Sequence, residues 1–222
     1  MISNKKITLI LPCYNEERGL RSLLKQDLSF IDEVIVVDND STDDTAAIAK
    51  ECGCVVVYER KRGYGAAYKA GLKHIKEGII IAMDGDGTYP LETARDFILK
   101  IVTSDIDFIS GDRLSQGKPA SMPCLNYFGN IILTLVTRVL FINNCHDSQS
   151  GMWVFKQEIL KYLNLRSADM AFSQEIKIEA VTKKFKFIEL PIEYRKRAGQ
   201  VKLRCLRDGF RNLMFLFKKR FF

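Results

Sequence analysis

Through the first half of the chain, short runs of apolar and β-branched residues alternate with stretches whose apolar positions recur every three or four residues. Apolar runs at 7–12, 33–38, 54–59, 78–84 and 107–111 predict five strands. The segments between them, 16–26, 42–52, 65–76 and 91–103, predict helices. Each strand is nearly continuously apolar rather than alternating, as strands buried on both faces are. Regular alternation of strand and helix predicts right-handed β-α-β units, and so an α/β fold: a Rossmann-like, doubly wound, mainly parallel sheet with helices on both faces.

The second half is less regular. After a loop at 114–123 comes an apolar segment, 125–142, and then the polar run Asp147-Ser148-Gln149-Ser150-Gly151. A helix is predicted over 173–184 and an edge strand over 187–191, before a basic stretch that begins at Tyr194-Arg195-Lys196-Arg197. Segment 125–142 is 18 residues long and is interrupted by Asn126, Asn130, Thr134, Thr137 and Arg138. That is short and polar for a membrane span, so the segment is expected to be a helix buried in protein or lying in a membrane interface. No repeat or flexible linker divides the chain, and 222 residues with 47% hydrophobic content predict one domain.

Charge matters once it is located. The net charge is +7, yet residues 195–222 hold ten of the 34 Lys and Arg and only one of the 27 Asp and Glu. A basic tail of this kind suits nucleic acid, anionic lipid or phosphate. Within it Phe210, Leu213, Met214, Phe217 and Phe221 recur at helical spacing, with Arg207, Arg211, Lys218, Lys219 and Arg220 around them. This predicts an amphipathic helix on an anionic membrane surface, the alternative being a stripe docked on the protein's own core. Scattered Phe residues make no base-stacking platform, which argues against nucleic acid as the partner. Six cysteines without a CxxC pair, and no secretory signal, predict reduced thiols and a cytoplasmic setting.

In a doubly wound sheet, ligands bind beyond the carboxyl ends of the strands. Here those ends carry Pro12-Cys13-Tyr14-Asn15-Glu16-Glu17, Asp38-Asn39-Asp40-Ser41, Asp84-Gly85-Asp86-Gly87 and Gly111-Asp112-Arg113. Asp84 and Asp86, two apart in extended chain, project from one face and can address one hard cation, while the glycines let a diphosphate approach. Asp38 at a strand tip is placed to accept hydrogen bonds from a base or ribose, and Tyr14 offers a flat face. Asp40 or Ser41 can equally cap the following helix, and Glu16 and Glu17 suit a helix N-terminus. GxGxxG is absent after the first strand, which argues against a nicotinamide or flavin dinucleotide, and without GxxxxGK[ST] this is not a P-loop phosphotransferase. His74 and His146 lie in no triad-like pattern and are expected to be structural. Glu175 opens a helix, where it either faces the ligands or complements the helix dipole.

The ordered set Pro12-Cys13-Tyr14-Asn15-Glu16, Val37-Asp38-Asn39-Asp40-Ser41-Thr42-Asp43, Gly63-Tyr64-Gly65-Ala66-Ala67 and Asp84-Gly85-Asp86-Gly87 resembles the family 2 glycosyltransferases of the GT-A fold. Gly111-Asp112-Arg113, Asp147-Ser148-Gln149-Ser150-Gly151, Gln174-Glu175, Glu189-Leu190-Pro191-Ile192 and Arg197-Ala198-Gly199-Gln200-Val201-Lys202-Leu203 resemble, more narrowly, the dolichyl- or polyprenyl-phosphate sugar synthases.

The resemblance implies inverting transfer of a hexose or N-acetylhexosamine from a UDP- or GDP-linked donor to a lipid phosphate, with Mg2+ or Mn2+. It places Pro12, Tyr14, Glu16, Asp38, Asp84 and Gly85 at the nucleotide, and Asp84 and Asp86 at the metal. Asp86, Arg113, Arg197 and Lys202 form the catalytic set, the basic residues on phosphates. It further implies a nucleotide-sugar-binding half over 1–112, an acceptor half over 113–194, and a phosphate-binding loop with a membrane-surface helix over 195–222. Attachment to the cytoplasmic face of a membrane is expected, with small membrane proteins as potential partners. Many members of the family carry serine where Val201 stands, and some carry glutamine at Thr88. A nucleotidyltransferase would need a basic glycine-rich signature where residues 12–17 are acidic, and a non-catalytic sensor would not require the retained Asp84, Asp86, Arg113 and Arg197.

Overall fold

The computed structural model describes residues 5–141, 143–199 and 205–222. Strands β1 (Ile7–Cys13), β2 (Glu33–Asp38), β3 (Val55–Tyr58), β4 (Ile79–Ala82), β5 (Phe108–Asp112), β6 (Trp153–Lys156) and β7 (Phe187–Pro191) form one sheet in the order β3-β2-β1-β4-β6-β5-β7. Four of its pairings are parallel. The exception is β6, which lies antiparallel to both β4 and β5.

Side chains alternate across this sheet with a period of two, and each face has its own core. Leu9, Leu11, Val36, Ile81 and Val154 point to one face, covered by α1 (Glu17–Leu23), α2 (Thr45–Glu51) and α4 (Leu91–Thr103). Ile10, Val37, Ile80, Trp153 and Phe155 point to the other, covered by α3 (Tyr64–Leu72) and α6 (Phe172–Thr182). Gly71 permits the close seat of α3: a Cβ there would lie 2.5 Å from Ile10 Cδ1 and 2.6 Å from Val37 Cγ2.

The predicted strands and helices are present, with shifted ends. Helix α1 stops at Leu23, well short of residue 26, where the apolar pattern gives out. Helix α2 starts at Thr45 rather than 42, because residues 41–44 serve the rim instead. The Asp43 carboxylate takes the Thr45 amide at 3.1 Å and the Glu17 amide at 3.2 Å. Strand β6 was not foreseen. It is four residues long in an irregular region, although Trp153, Val154 and Phe155 are fully buried between β4 and β5.

Two further helices, α5 (Cys124–Phe141) and α7 (Cys205–Phe221), pack against one another and against α6 around Leu133, Ile178 and Leu216. Helix α5 has the length and composition of a membrane span, but little of it is covered by protein. Leu133, Thr134 and Thr137 are its buried residues, so the chain itself does not bury the segment as a whole.

Candidate active site

Strand β4 runs apolar and fully buried through the middle of the sheet, then delivers Asp84-Gly85-Asp86 to the rim. Asp84 Oδ1 accepts a hydrogen bond from the Tyr64 hydroxyl on α3 at 2.9 Å. Asp86 Oδ1 accepts from the Thr88 amide at 2.9 Å and the Thr88 hydroxyl at 2.6 Å, so Thr88 fixes the turn. Below it, Gly19 of α1 lies so close that a Cβ would sit 2.7 Å from Asp86 Cα. Burial, and then the neighbouring charge of Asp86, push the Asp84 carboxyl up to about 7, against the opposing pull of Tyr64, Arg197 and Arg113.

Residues 195–198 lie as a strap along this loop. The Arg195 amide donates to the Thr88 carbonyl at 2.9 Å and the Ala198 amide to the Asp86 carbonyl at 3.1 Å. Between them Arg197 reaches inward, its Nη1 2.7 Å from Asp86 Oδ2 and its Nη2 paired with Glu16. A guanidinium thus stands where a cation shared by acidic residues would be placed. Among the described residues no group of three or more His, Cys, Asp or Glu forms a closed metal cage. Two carboxylates that line both cavities, Asp84 half-buried and Asp86 buried, are instead the kind of donor set that Mg2+ or Mn2+ takes together with a diphosphate and water. Lys202 lies outside the described residues.

Two cavities meet at this acidic pair. The first is walled by Pro12, Tyr14, Glu16, Asn39 and Gly85, and continues to Arg207 and Arg211 on α7. Its loops turn through left-handed residues of types that tolerate that conformation, Asn15 at φ 51° and Asp40 at φ 65°. The Arg62 guanidinium covers the Tyr14 ring at 4.1 Å and pairs with Asp40 at 3.0 Å. Asp38 does not line the cavity; its Oδ1 accepts from the Ser41 amide at 3.1 Å and shapes the loop. Asn39 lines it instead. Its side chain donates to the carbonyls of Glu59 at 2.7 Å and Lys61 at 2.9 Å and accepts from the Gly63 amide at 2.8 Å, clamping two rim loops together.

The second cavity shares Tyr64, Asp84, Asp86 and Arg197 with the first, and leaves the rim between α5 and α7, past Gly129, Asn130 and Gly209. Arg113 lines it and is already engaged: its Nε is 2.7 Å from Asp147 Oδ2 and its Nη2 2.8 Å from Asp147 Oδ1. The guanidinium also lies 5.1 Å from the Tyr194 ring centre. Buried Lys177 donates to the carbonyls of Asp147 at 2.6 Å and Ser150 at 2.9 Å, while Glu189 accepts the Asp147 amide at 3.1 Å. Burial lowers the Lys177 pKa. For Asp147, burial acts to raise the carboxyl pKa, but the Arg113 charge outweighs it and holds the group below its ordinary value. The network fixes the Asp147–Gly151 run behind the cavity, a function of Lys177 that sequence reading missed because its partners are backbone carbonyls 27 and 30 residues away.

Glu175 does not face either cavity. Fully buried, it accepts the amides of Arg166 at 3.0 Å and Ser167 at 2.8 Å and pairs with Lys219 of α7 at 3.1 Å. His74 and His146 line neither cavity; His146 stands 3.6 Å from Asp112.

Helices α5 and α7 are turned inside out. On α5 the inward residues are Leu133, Thr134 and Thr137, while Leu125, Phe128, Ile132, Leu135 and Val139 are more than half exposed. On α7, Asn212 and Lys219 point inward: the Asn212 amide donates to Gln149 Oε1 at 2.9 Å, and Lys219 pairs with Glu179 at 2.7 Å as well as with Glu175. Leu206, Phe210, Met214, Phe217 and Phe221 point outward. Of the apolar stripe foreseen in the tail, Leu213 packs against the cluster of Leu133, Ile178 and Leu216, while Phe210, Met214, Phe217 and Phe221 stay exposed. Of the charges expected around it, Lys219 is turned inward and Arg207 and Arg211 reach the first cavity.

Comparison with known proteins places this geometry. Residues 8–163 match the family described as Glycosyl transferase family 2. The low-salt glycan biosynthesis hexosyltransferase Agl6 of Haloferax volcanii is 32% identical over 219 residues, covering 95% of this chain and 52% of that protein; the chain thus spans about half the length of this relative. A dolichyl-phosphate hexose transferase of the same organism is 32% identical over 200 residues, 89% of this chain and 86% of its own. Among solved structures, glucosyl-3-phosphoglycerate synthase from Mycobacterium tuberculosis, in complex with Mn2+, UDP and glucosyl-3-phosphoglycerate, superposes with a TM-score of 0.77 at 19% identity, over 98% of this chain and 80% of that one. That likeness establishes a common fold, the GT-A arrangement expected from the sequence.

Proposed function

Because the chain belongs to glycosyl transferase family 2 and is therefore a glycosyltransferase, we propose that it transfers a hexose or N-acetylhexosamine from a UDP- or GDP-linked sugar to dolichyl or polyprenyl phosphate, with inversion at the anomeric carbon. One observation carries this reading. The carboxylates of Asp84 and Asp86 stand where two cavities join, one walled by a tyrosine face and glycine backbone, the other opening between two helices with exposed apolar faces. A nucleotide diphosphate fits the first and a lipid phosphate the second. The relative named as a dolichyl-phosphate hexose transferase, and the uridine diphosphate and Mn2+ held by the structural neighbour, support the same assignment.

In this reading Pro12, Tyr14, Glu16 and Gly85 hold the nucleoside and diphosphate, and Asp38 shapes the loop beside them. Asp84 and Asp86 would hold Mg2+ or Mn2+ with the donor diphosphate; when bound, the ion stabilises the departing nucleotide diphosphate as a Lewis acid. The acceptor needs no strong base, because a lipid phosphate is already anionic at neutral pH. Its oxygen forms the new bond to the anomeric carbon as the bond to the donor's β-phosphate oxygen breaks, and the electron pair leaves with the nucleotide diphosphate. Entry of the two substrates from cavities that meet at one point favours attack opposite the leaving group, which gives inversion. Arg113, oriented by Asp147, Arg197 of the strap, and Lys202 serve as phosphate contacts.

Residues 1–112 then form the donor half, 113–194 the acceptor half, and 195–222 the phosphate loop and surface helix. The exposed apolar faces of α5 and α7, rimmed by Lys218 and Arg220, support attachment to the cytoplasmic face of an anionic membrane. The test is to incubate the protein with UDP- and GDP-linked sugars, dolichyl phosphate and Mn2+, and to analyse the lipid fraction by mass spectrometry. A lipid-linked sugar phosphate is expected; transfer only to glycan or protein acceptors would overturn the assignment.

A further inference from the structure

Four described arginines line the first cavity: Arg62, Arg197, Arg207 and Arg211. Three of them are committed to carboxylates. Arg62 pairs with Asp40 at 3.0 Å, Arg197 with Asp86 at 2.7 Å and with Glu16, and Arg207 with Asp208 at 3.2 Å. Arg211 is exposed and makes no ion pair or hydrogen bond with any described residue. It alone of the four has no carboxylate partner among the described residues.

We propose that Arg211 is a donor-binding residue, whose guanidinium takes an anionic oxygen of the nucleoside diphosphate, so that helix α7 forms one wall of the donor site. This rests on the reading of the first cavity as the nucleotide site. Arg211 lines the first cavity and not the second, which separates it from the acceptor's phosphate. It faces the cavity that Tyr14 and Pro12 wall, where a base has a flat surface to lie on and its phosphates extend towards Asp84 and Asp86.

The register of α7 is also fixed at this point. The next residue, Asn212, is buried, its amide bonded to Gln149 Oε1 at 2.9 Å and its carbonyl to Gln174 Nε2 at 2.9 Å. Arg211 is thus carried on a preorganised element rather than a free tail, and a planar guanidinium matches phosphate oxygens two at a time. One helix then presents a cation to the donor on one side and its apolar residues outward on another.

The test uses the full chain in detergent-free buffer without vesicles. UDP and GDP are titrated with Mn2+ present, and the tighter of the two is carried forward beside its nucleoside, which lacks phosphate. Arg211→Ala is expected to weaken the diphosphate by about tenfold, as loss of one charge-assisted contact does. The nucleoside and farnesyl phosphate should bind as before, and Arg211→Lys should fall between. Unchanged diphosphate affinity in Arg211→Ala, equal loss of diphosphate and nucleoside, or a change confined to anionic vesicles or to farnesyl phosphate would each overturn the inference. If the unaltered protein bound neither diphosphate, the donor reading of the cavity itself would fall.

Discussion

In the half of the molecule built on β1 to β4, apolar side chains enter the sheet's two cores and polar ones gather at the rim. On the face made by α5 and α7 the arrangement is reversed: Thr134, Thr137, Asn212 and Lys219 point into the protein, and Ile132, Leu135, Phe210 and Phe217 point out. Helix α4 of the first region and helices α5 and α7 of the second all carry apolar stripes at helical spacing. A stripe shows that a helix has an apolar side, and says nothing about what that side faces. In the first region the protein's own sheet covers it. In the second the inward seam joins a small apolar cluster, Leu133, Ile178 and Leu216, to paired polar groups, while a second apolar side stays uncovered by the protein.

The contrast breaks most visibly if the rim and the seam respond alike to mutation. At the rim, Asp86→Ala should lower turnover on the order of a thousandfold while the thermal midpoint moves by no more than a few degrees. Parallel activity and melting measurements check this, and a variant that simply unfolds would make Asp86 a structural group. At the seam the opposite is expected. Lys219→Met leaves the buried carboxylates of Glu175 and Glu179 without their cation and should cost about 3 kcal/mol in urea unfolding. Hydrogen exchange should show α7 loosened first.

On the outer face, Ile132→Ser and Phe210→Ser should each leave stability within about 0.5 kcal/mol. Each should weaken binding to anionic vesicles by about tenfold, read by sedimentation. Stability loss with unchanged vesicle binding would show that the face is covered by protein.

A pH dependence is also expected at the rim. The folded protein holds the Asp84 proton up to about pH 7, far above the ordinary carboxylate range. The native state then binds more protons than the unfolded chain between these limits, and the contribution of Asp84 to stability falls as pH rises towards 7. Relative to the unaltered protein, Asp84→Asn should therefore gain stability across this window, measured by unfolding at a series of pH values. An unchanging difference would show that Asp84 titrates normally.

Much of the frame was legible from pattern. Strands β2 and β7 and helix α4 fall where the runs at 33–38, 187–191 and 91–103 predict them. The acidic pair at the end of β4 was visible because a buried strand must end before it can present two carboxylates. What stayed hidden depends on contacts distant in sequence. Asp38 and Asn39 are adjacent polar residues at a strand tip, and only the fold decides that Asn39 turns to the cavity. The pairing of Arg113 with Asp147 spans 34 residues, and that of Lys219 with Glu175 spans 44. The charges of α7 looked equivalent along the sequence, yet the seam, the cavity and the outer rim divide them.

Strand β6 has a further consequence, for the order in which the protein can assemble. During synthesis β1 to β4 emerge together and can pair as β3-β2-β1-β4, but β4 then ends that half-sheet with an open edge. Its partner, beginning at Trp153, follows only after β5 and α5 have been made, and in the finished sheet β5 does not pair with β4. Until then one edge of an all-apolar strand, Ile79–Ala82, stands open on a growing chain, a template for wrong strand addition. Closing the sheet through so distant a segment is slow compared with local pairing. The ribosome-bound intermediate ending before residue 153 should therefore be the form that chaperones hold, and the acidic pair should reach its final place only when β6 slots in beside β4.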